Sequence, residues 1–284
     1  MKKMSMSLLL ITIIATFCVF LTGCGGKGSG KREITVVSRE ESSGTRGAFD
    51  ELMNITDGST NRLFREAIIV SSTDEAAFKV EVDKFAISYT SFGSVTNKVK
   101  ALSINGIVPS ESSIKSGDYK LFRPFILVKK TDTDLPIADD FIKFATSSQG
   151  QAIASKSGYI SVYETGTYES AGGLNGKLTI SGSTSVEKVI EGLKEAYEAL
   201  NPGVKVEINY NGSSAGIRDC INGRSDLAVS SRELKANELD QLKSTAFALD
   251  GVVVVVNESN AITNIAAETV TKIFKGEIRH WNDI

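Results

Sequence analysis

Ser38-Arg39-Glu40-Glu41-Ser42-Ser43-Gly44-Thr45-Arg46 is the stretch on which the reading of this chain turns. It follows an apolar run of β character, Ile34-Thr35-Val36-Val37, and opens a helix-like segment, Thr45 to Met53. A strand that ends in hydroxyls and a glycine before a helix begins is a natural cradle for an anion. The first N–H groups of a helix lack intrahelical partners, and the helix dipole places partial positive charge there. Arg39 adds a fixed cation whose planar donor fork suits a tetrahedral oxyanion. Ser and Thr are also ordinary helix caps, so this motif alone leaves both readings open.

The pattern recurs. Ser183-Thr184-Ser185 follows the strand Lys177-Leu178-Thr179-Ile180, Ser213-Ser214 follows the alternating run Val204 to Ile208, and Ser230-Ser231 follows Leu227-Ala228-Val229. In an open α/β sheet, ligands sit beyond the carboxyl ends of the strands. Helix starts converging there would surround one small oxyanion with N–H and O–H donors. Caps alone do not need a small residue at each site, whereas close backbone approach to a ligand does, and Gly44, Gly182 and Gly212 supply it.

Working outward, the chain alternates strands and helices, an α/β pattern. Ala67-Ile68-Ile69-Val70 reads as a buried strand, Asp74 to Val82 as a helix, and Val252 to Val256 as another buried strand. Pro124 removes a donor from the extended run Leu121 to Val128, which argues for an edge or a crossover position. Residues 164–173 are polar, Gly-containing and without apolar periodicity, and read as a linker between 31–163 and 174–284.

The chain has 284 residues, 41% apolar and 23% charged, with a net charge of -2. That is enough for two compact lobes with a substantial core, and no basic stripe suggests a nucleic-acid partner. Lys2 and Lys3 precede an apolar run of about 14 residues, Leu8 to Leu21, short for a membrane span. The run ends in Leu21-Thr22-Gly23-Cys24, which resembles a bacterial lipobox; that implies a signal peptide over 1–23 and lipidation of Cys24. An uncleaved anchor helix is the alternative. Residues 24–30 then form a flexible tether. Cys18 lies in the signal, so only Cys220 remains in the folded part, as a small core residue. His280 is the only histidine, and no nucleophile stands with a base. No catalytic residue, metal or cofactor is expected. Glu40 reads as a solvated surface residue.

The motifs resemble those of the phosphate-binding lipoproteins of bacterial ABC transporters, which have the type II periplasmic-binding-protein fold. The resemblance is carried by Leu178–Ser185, Asn211–Gly216, Ser230–Leu234, Ala248–Val252, Ile273–Ile278 and Val37–Arg46. It implies two lobes joined by a hinge, with phosphate held in the cleft between them. Carried over residue by residue, the phosphate contacts are Arg39, Ser43, Gly44, Thr45, Thr184, Ser185, Ser213 and Ser231. In the family the Gly182 motif comes first and the Arg39 motif later; here the order is exchanged, as in a circular permutant. A rearranged fragment that pairs with a second copy by domain swapping is the competing account. The expected lobes are about 31–95 with 250–284, and about 96–248, with crossovers near Ser88 to Leu102 and Leu249 to Val256 as the hinge. Some family members have a carboxylate where Ser231 stands, and Glu41 is the candidate acceptor for a phosphate proton in its place. The implied function is capture of inorganic phosphate at the outer face of the cell membrane and delivery to an ABC permease. Alternatives are another oxyanion (sulfate or molybdate), a phosphate sensor or surface adhesin uncoupled from transport, and an exported phosphohydrolase.

Overall fold

A run that is apolar at every position, such as Val252 to Val256, suits a strand covered on both faces. In the computed structural model, which describes residues 32–57, 60–163, 166–170 and 172–284, all five of these valines are 0% exposed. The signal peptide, Cys24 and the tether lie outside the described residues. Among the described residues no helix is long and apolar enough to cross a membrane.

The main sheet contains β1 (Thr35–Arg39), β2 (Ile68–Val70), β3 (Ala86–Ser91), β4 (Val99–Ala101), β5 (Phe122–Lys130), β6 (Gly176–Gly182), β7 (Val204–Tyr210), β8 (Leu227–Ser230) and β9 (Leu242–Asn257). Their order is β7-β6-β8-β5-β9-β3-β1-β2, with β4 also pairing β9. The sheet has two halves of like design. In one, β6 lies between parallel β7 and β8, and β5 runs antiparallel beside β8. In the other, β1 lies between parallel β2 and β3, and β9 runs antiparallel beside β3. The strand β9 belongs to both halves. Leu242 to Gly251 pair with β5, and Val252 to Val256 then pair with β3.

Helices cover the sheet: α1 (Gly44–Leu52), α2 (Thr73–Val82), α3 (Pro136–Thr146), α4 (Ser148–Lys156), α5 (Glu187–Leu200), α6 (Ser213–Ile221) and α7 (Ala267–Phe274). The helix α5 buries Val189, Ile190, Leu193 and Tyr197, spaced by one, three and four so that they share one face. Two main apolar cores result. One gathers Phe125, Phe141, Leu178, Leu193 and Phe247; the other gathers Ile34, Phe49, Tyr89, Val254 and Phe274. Leu102, Ile114 and Leu121 pack in the second core. The segment after residue 95, expected with the other lobe, therefore stays with Ile34 until β5 begins.

Three local expectations are refined. The strand at Ile68–Val70 is not buried: β2 is the outermost strand, and Ile68 and Ile69 are 41% and 50% exposed. Pro124 sits where β5 has a neighbour on one side only, because β8 reaches no further than Ile126 while Leu249 of β9 lies opposite Pro124. The segment read as a linker is pinned by one aromatic residue. Tyr168 is 4% exposed, stacks edge-on to Phe144 with centroids 5.2 Å apart, and donates from Oη to Asp140 at 2.5 Å. Asn201 Nδ2 donates back to the same oxygen at 3.0 Å. Tyr168→Phe keeps the ring and loses these bonds, so it should lower stability by about 1–2 kcal/mol. Thermal unfolding should then shift down by about 3–6 °C; an unchanged midpoint would show that the segment is not pinned through the phenol.

Candidate functional site

The end of β1 is held from two sides. The Arg39 N–H donates to Tyr89 Oη at 3.2 Å, and its carbonyl accepts from Arg46 Nη1 at 3.0 Å. Arg46 in turn pairs with Asp50 at 3.3 Å. Burial pushes the Asp50 carboxyl above its ordinary value, against the opposing pull of Asn61 and Arg46. With its backbone fixed, the Arg39 side chain, 1% exposed, points its fork along a set route. Nε and Nη2 grip Glu40 at 2.8 and 2.9 Å. Nη1 donates to Thr73 Oγ1 at 3.0 Å, and Nη2 donates to Thr184 Oγ1 at 3.1 Å. Arg39 thus reaches from its own half into the other.

The opposite half arrives through glycine-dependent turns. β6 ends at Gly182, whose φ is +154° and whose added Cβ would stand 1.9 Å from the Val229 carbonyl oxygen. The chain then makes a 3-10 turn over Thr184–Val186 before α5. Ser183 caps that turn by accepting from the Ser185 N–H at 3.2 Å, and donates to Ser231 Oγ at 2.8 Å. The Ser231 N–H donates to Ser213 Oγ at 3.1 Å, at the start of α6. Hydroxyls then meet across the halves. Ser185 Oγ lies 2.5 Å from Thr45 Oγ1 and 3.1 Å from Thr73 Oγ1. Gly44, in the first turn of α1, is packed so closely that a Cβ would fall 2.2 Å from Ser213 Oγ and 2.6 Å from Ser231 Oγ. Ser43 caps α1 by accepting from the Arg46 N–H at 3.2 Å.

Arg39, Ser43, Gly44, Thr45, Thr184, Ser185, Ser213 and Ser231 therefore come to one place. Glu41 does not: it is exposed and bonds none of the hydroxyls. Glu40 is no solvated bystander either, since its side chain is 24% exposed and clamps Arg39. Thr73 is a member that the sequence reading did not single out, and Ser183, quoted there with its turn, was not among the expected phosphate contacts. The signal for Thr73 was present, because Ser71-Ser72-Thr73 is a fifth hydroxyl-bearing strand end ahead of a helix. Cys220 is 1% exposed, and burial pushes its thiol up to about 11. His280 pairs with Asp283 at 3.4 Å in the last turn of the chain.

Each buried hydroxyl here can donate or accept, and Thr45, Thr73, Thr184, Ser183, Ser185, Ser213 and Ser231 now use one another as partners. A tetrahedral oxyanion would accept from all of them at once, with Arg39 supplying the charge and the starts of α1, α2 and α6 the dipoles. A cleft of about 680 Å³ opens beside Thr184 and Ser185, with Asp74, Tyr159 and Glu187 on its walls.

Comparison with known proteins agrees with this architecture. The profile of the PBP superfamily domain matches residues 26–149 and 165–283. The phosphate-binding protein PstS 2 of Streptococcus agalactiae serotype V is 39% identical over 292 residues, covering 100% of this chain and 99% of the relative. The phosphate-binding protein PstS of Borreliella burgdorferi is 35% identical over 108 residues, 38% of this chain and 39% of the relative. Among solved structures, a phosphate-binding protein of a phosphate ABC transporter from Streptococcus pneumoniae TIGR4 superposes with a TM-score of 0.73 at 38% identity, over 89% of this chain and 99% of that one. The chain belongs to the PBP superfamily and, within it, to the PstS family of phosphate-binding proteins.

Proposed function

We propose that this protein captures inorganic phosphate between its two halves and delivers it to an ABC permease. The carrying observation is the meeting of Arg39, Thr45 and Thr73 from one half with Thr184 and Ser185 from the other. A ligand that bonds both sets stabilises the closed arrangement of the halves, which is how binding becomes a signal a membrane partner can read. The names of the relatives, each a phosphate-binding protein, favour phosphate over other oxyanions. Export through a signal peptide and lipid attachment at Cys24 complete the proposal and place the protein at the outer face of the cell membrane. The reaction is binding, without a chemical step.

The motif order belongs to the same reading. The match to the streptococcal relative runs the full length of both chains, whereas the match to the Borreliella protein covers little more than a third of either chain. Two portions exchanged in order would align in just this partial way. Glu33 forms a bridge with His280, and the Ile34 N–H donates to the Arg279 carbonyl at 2.7 Å, so a short loop could have joined these ends. Circular permutation requires such neighbouring ends.

Calorimetric titration of the purified protein with phosphate and then with sulfate tests the function. Tight one-to-one phosphate binding is expected; a folded protein that binds neither anion would end this reading. Because Glu41 lies in solvent, Glu41→Gln should leave the ratio of phosphate to sulfate affinity unchanged. Glu40→Gln should weaken both, by loosening the grip on Arg39. A loss of discrimination in Glu41→Gln alone would return the proton-acceptor role to that residue.

A further inference from the structure

We propose that Tyr159 is a positioning residue of this site, through which the crossover between the halves sets the geometry of the Thr184–Ser185 turn; the proposal rests on the binding function put forward above. The side chain is 2% exposed, and its Oη donates to the Ser185 carbonyl at 3.0 Å. Ser185 is the residue of that turn whose hydroxyl touches both Thr45 and Thr73 of the opposite half. Fixing its peptide fixes the group the two halves share most closely.

The other end of Tyr159 is tied to the crossover. Ile160, the next residue, exchanges paired backbone bonds with Leu249 at 3.0 and 2.8 Å, which sets Tyr159 beside Asp250. Asp250 is 0% exposed, and its carboxylate gathers the strands that pass between the halves. It accepts from Ser91 Oγ at 2.7 Å and the Phe92 N–H at 3.0 Å where the chain leaves β3. It also accepts from Arg123 Nε and Nη2 of β5 at 3.1 and 2.9 Å. Gly93 lies against the Tyr159 ring so closely that a Cβ would stand 2.4 Å from Cε1 and 2.6 Å from Cζ. Rotation of one half against the other about these strands must therefore move Gly93 over the ring, and the phenol carries that displacement to Ser185. Burial pushes the phenol up to about 12, so Oη keeps its proton and remains a donor at neutral pH.

The ring also packs against Phe125, with centroids 5.1 Å apart, so the test keeps the ring. In the whole chain, Tyr159→Phe should raise the Kd for inorganic phosphate about five- to tenfold, the worth of one hydrogen bond, with the change carried by faster release in stopped-flow. Gly93→Ala, which pushes the ring without touching Ser185, should act in the same direction. Phe125→Leu loosens the same core but leaves the Ser185 carbonyl bonded, so it should lower the unfolding midpoint and leave Kd unchanged. An unchanged Kd in Tyr159→Phe, or an equal affinity loss in Phe125→Leu, overturns the proposal. Amide hydrogen exchange over Thr184–Val186, read without phosphate, should quicken in Tyr159→Phe; unchanged protection there also overturns it. That last readout separates this proposal from the binding function, because it stands even if the unsubstituted chain takes up no phosphate.

Discussion

Arg39→Ala should weaken phosphate binding by about 2–5 kcal/mol, the cost of truncating one partner of a buried, hydrogen-bonded charge pair. That is about thirty-fold to several thousand-fold in Kd. The effect is large because a single guanidinium performs three tasks. It supplies the cation, it bonds Thr73 and Thr184 on opposite halves, and it is preorganised by Glu40 before any anion arrives. Arg39→Lys restores the charge without the planar fork, and should recover only part of the lost affinity. The fold should survive both changes, since Glu40 has access to water once its partner is gone. Calorimetry on both variants, with thermal unfolding alongside, decides the matter. An alanine variant that binds phosphate within a few-fold of the parent would show that backbone and hydroxyl donors suffice.

The largest loss of stability is expected from Asp250→Ala. Removing one partner of a buried ion pair costs about 3–5 kcal/mol, because the other charge is left without compensation. Arg123 is 3% exposed and its Nη1 already has no hydrogen-bond partner among the described residues, so none of them is waiting to take up the freed donors. Burial alone pushes the Asp250 carboxyl above its ordinary value, and Arg123, Ser91 and the Phe92 N–H oppose that rise. The alanine variant also strands Ser91 Oγ and the Phe92 N–H. Denaturant unfolding should show a lower midpoint at an unchanged slope. Asp250→Asn, which retains acceptor capacity, should cost less. Equal losses in the two variants would mean that the lost charge alone, and not the stranded donors or the packing, decides stability at this point.

Much of the site was legible because it is local. A hydroxyl, a glycine and a helix start are neighbours in the chain, so Thr184-Ser185, Ser213, Ser231 and the Arg39 to Thr45 stretch announce themselves one turn at a time. What hides is whatever depends on two distant segments. Glu40 and Glu41 are adjacent in sequence, and only the fixed direction of the Arg39 side chain decides which of them grips it. Tyr168 looks like part of a polar connector until Phe144 and Asp140 are placed beside it. The apolar run at Ile68-Ile69 reads as core, yet β2 ends the sheet and one side of it is uncovered. The division of the cores has the same origin: residues 99–121 are ordinary short strands, turns and one short helix, Glu111–Lys115, and only contacts with Val254 and Ile34 assign them to a half.

The passage of β9 through both halves bears on how the molecule comes apart. Its first ten residues complete one core and its last ones complete the other. Melting either core would strip a strand of its partners and expose backbone groups inside the sheet of the other, a penalty that neither core can evade alone. The two cores are thereby bound to a common fate. They should unfold as one cooperative unit, in transitions that coincide by different probes, and the mobility that ligand capture requires should be confined to bending between them.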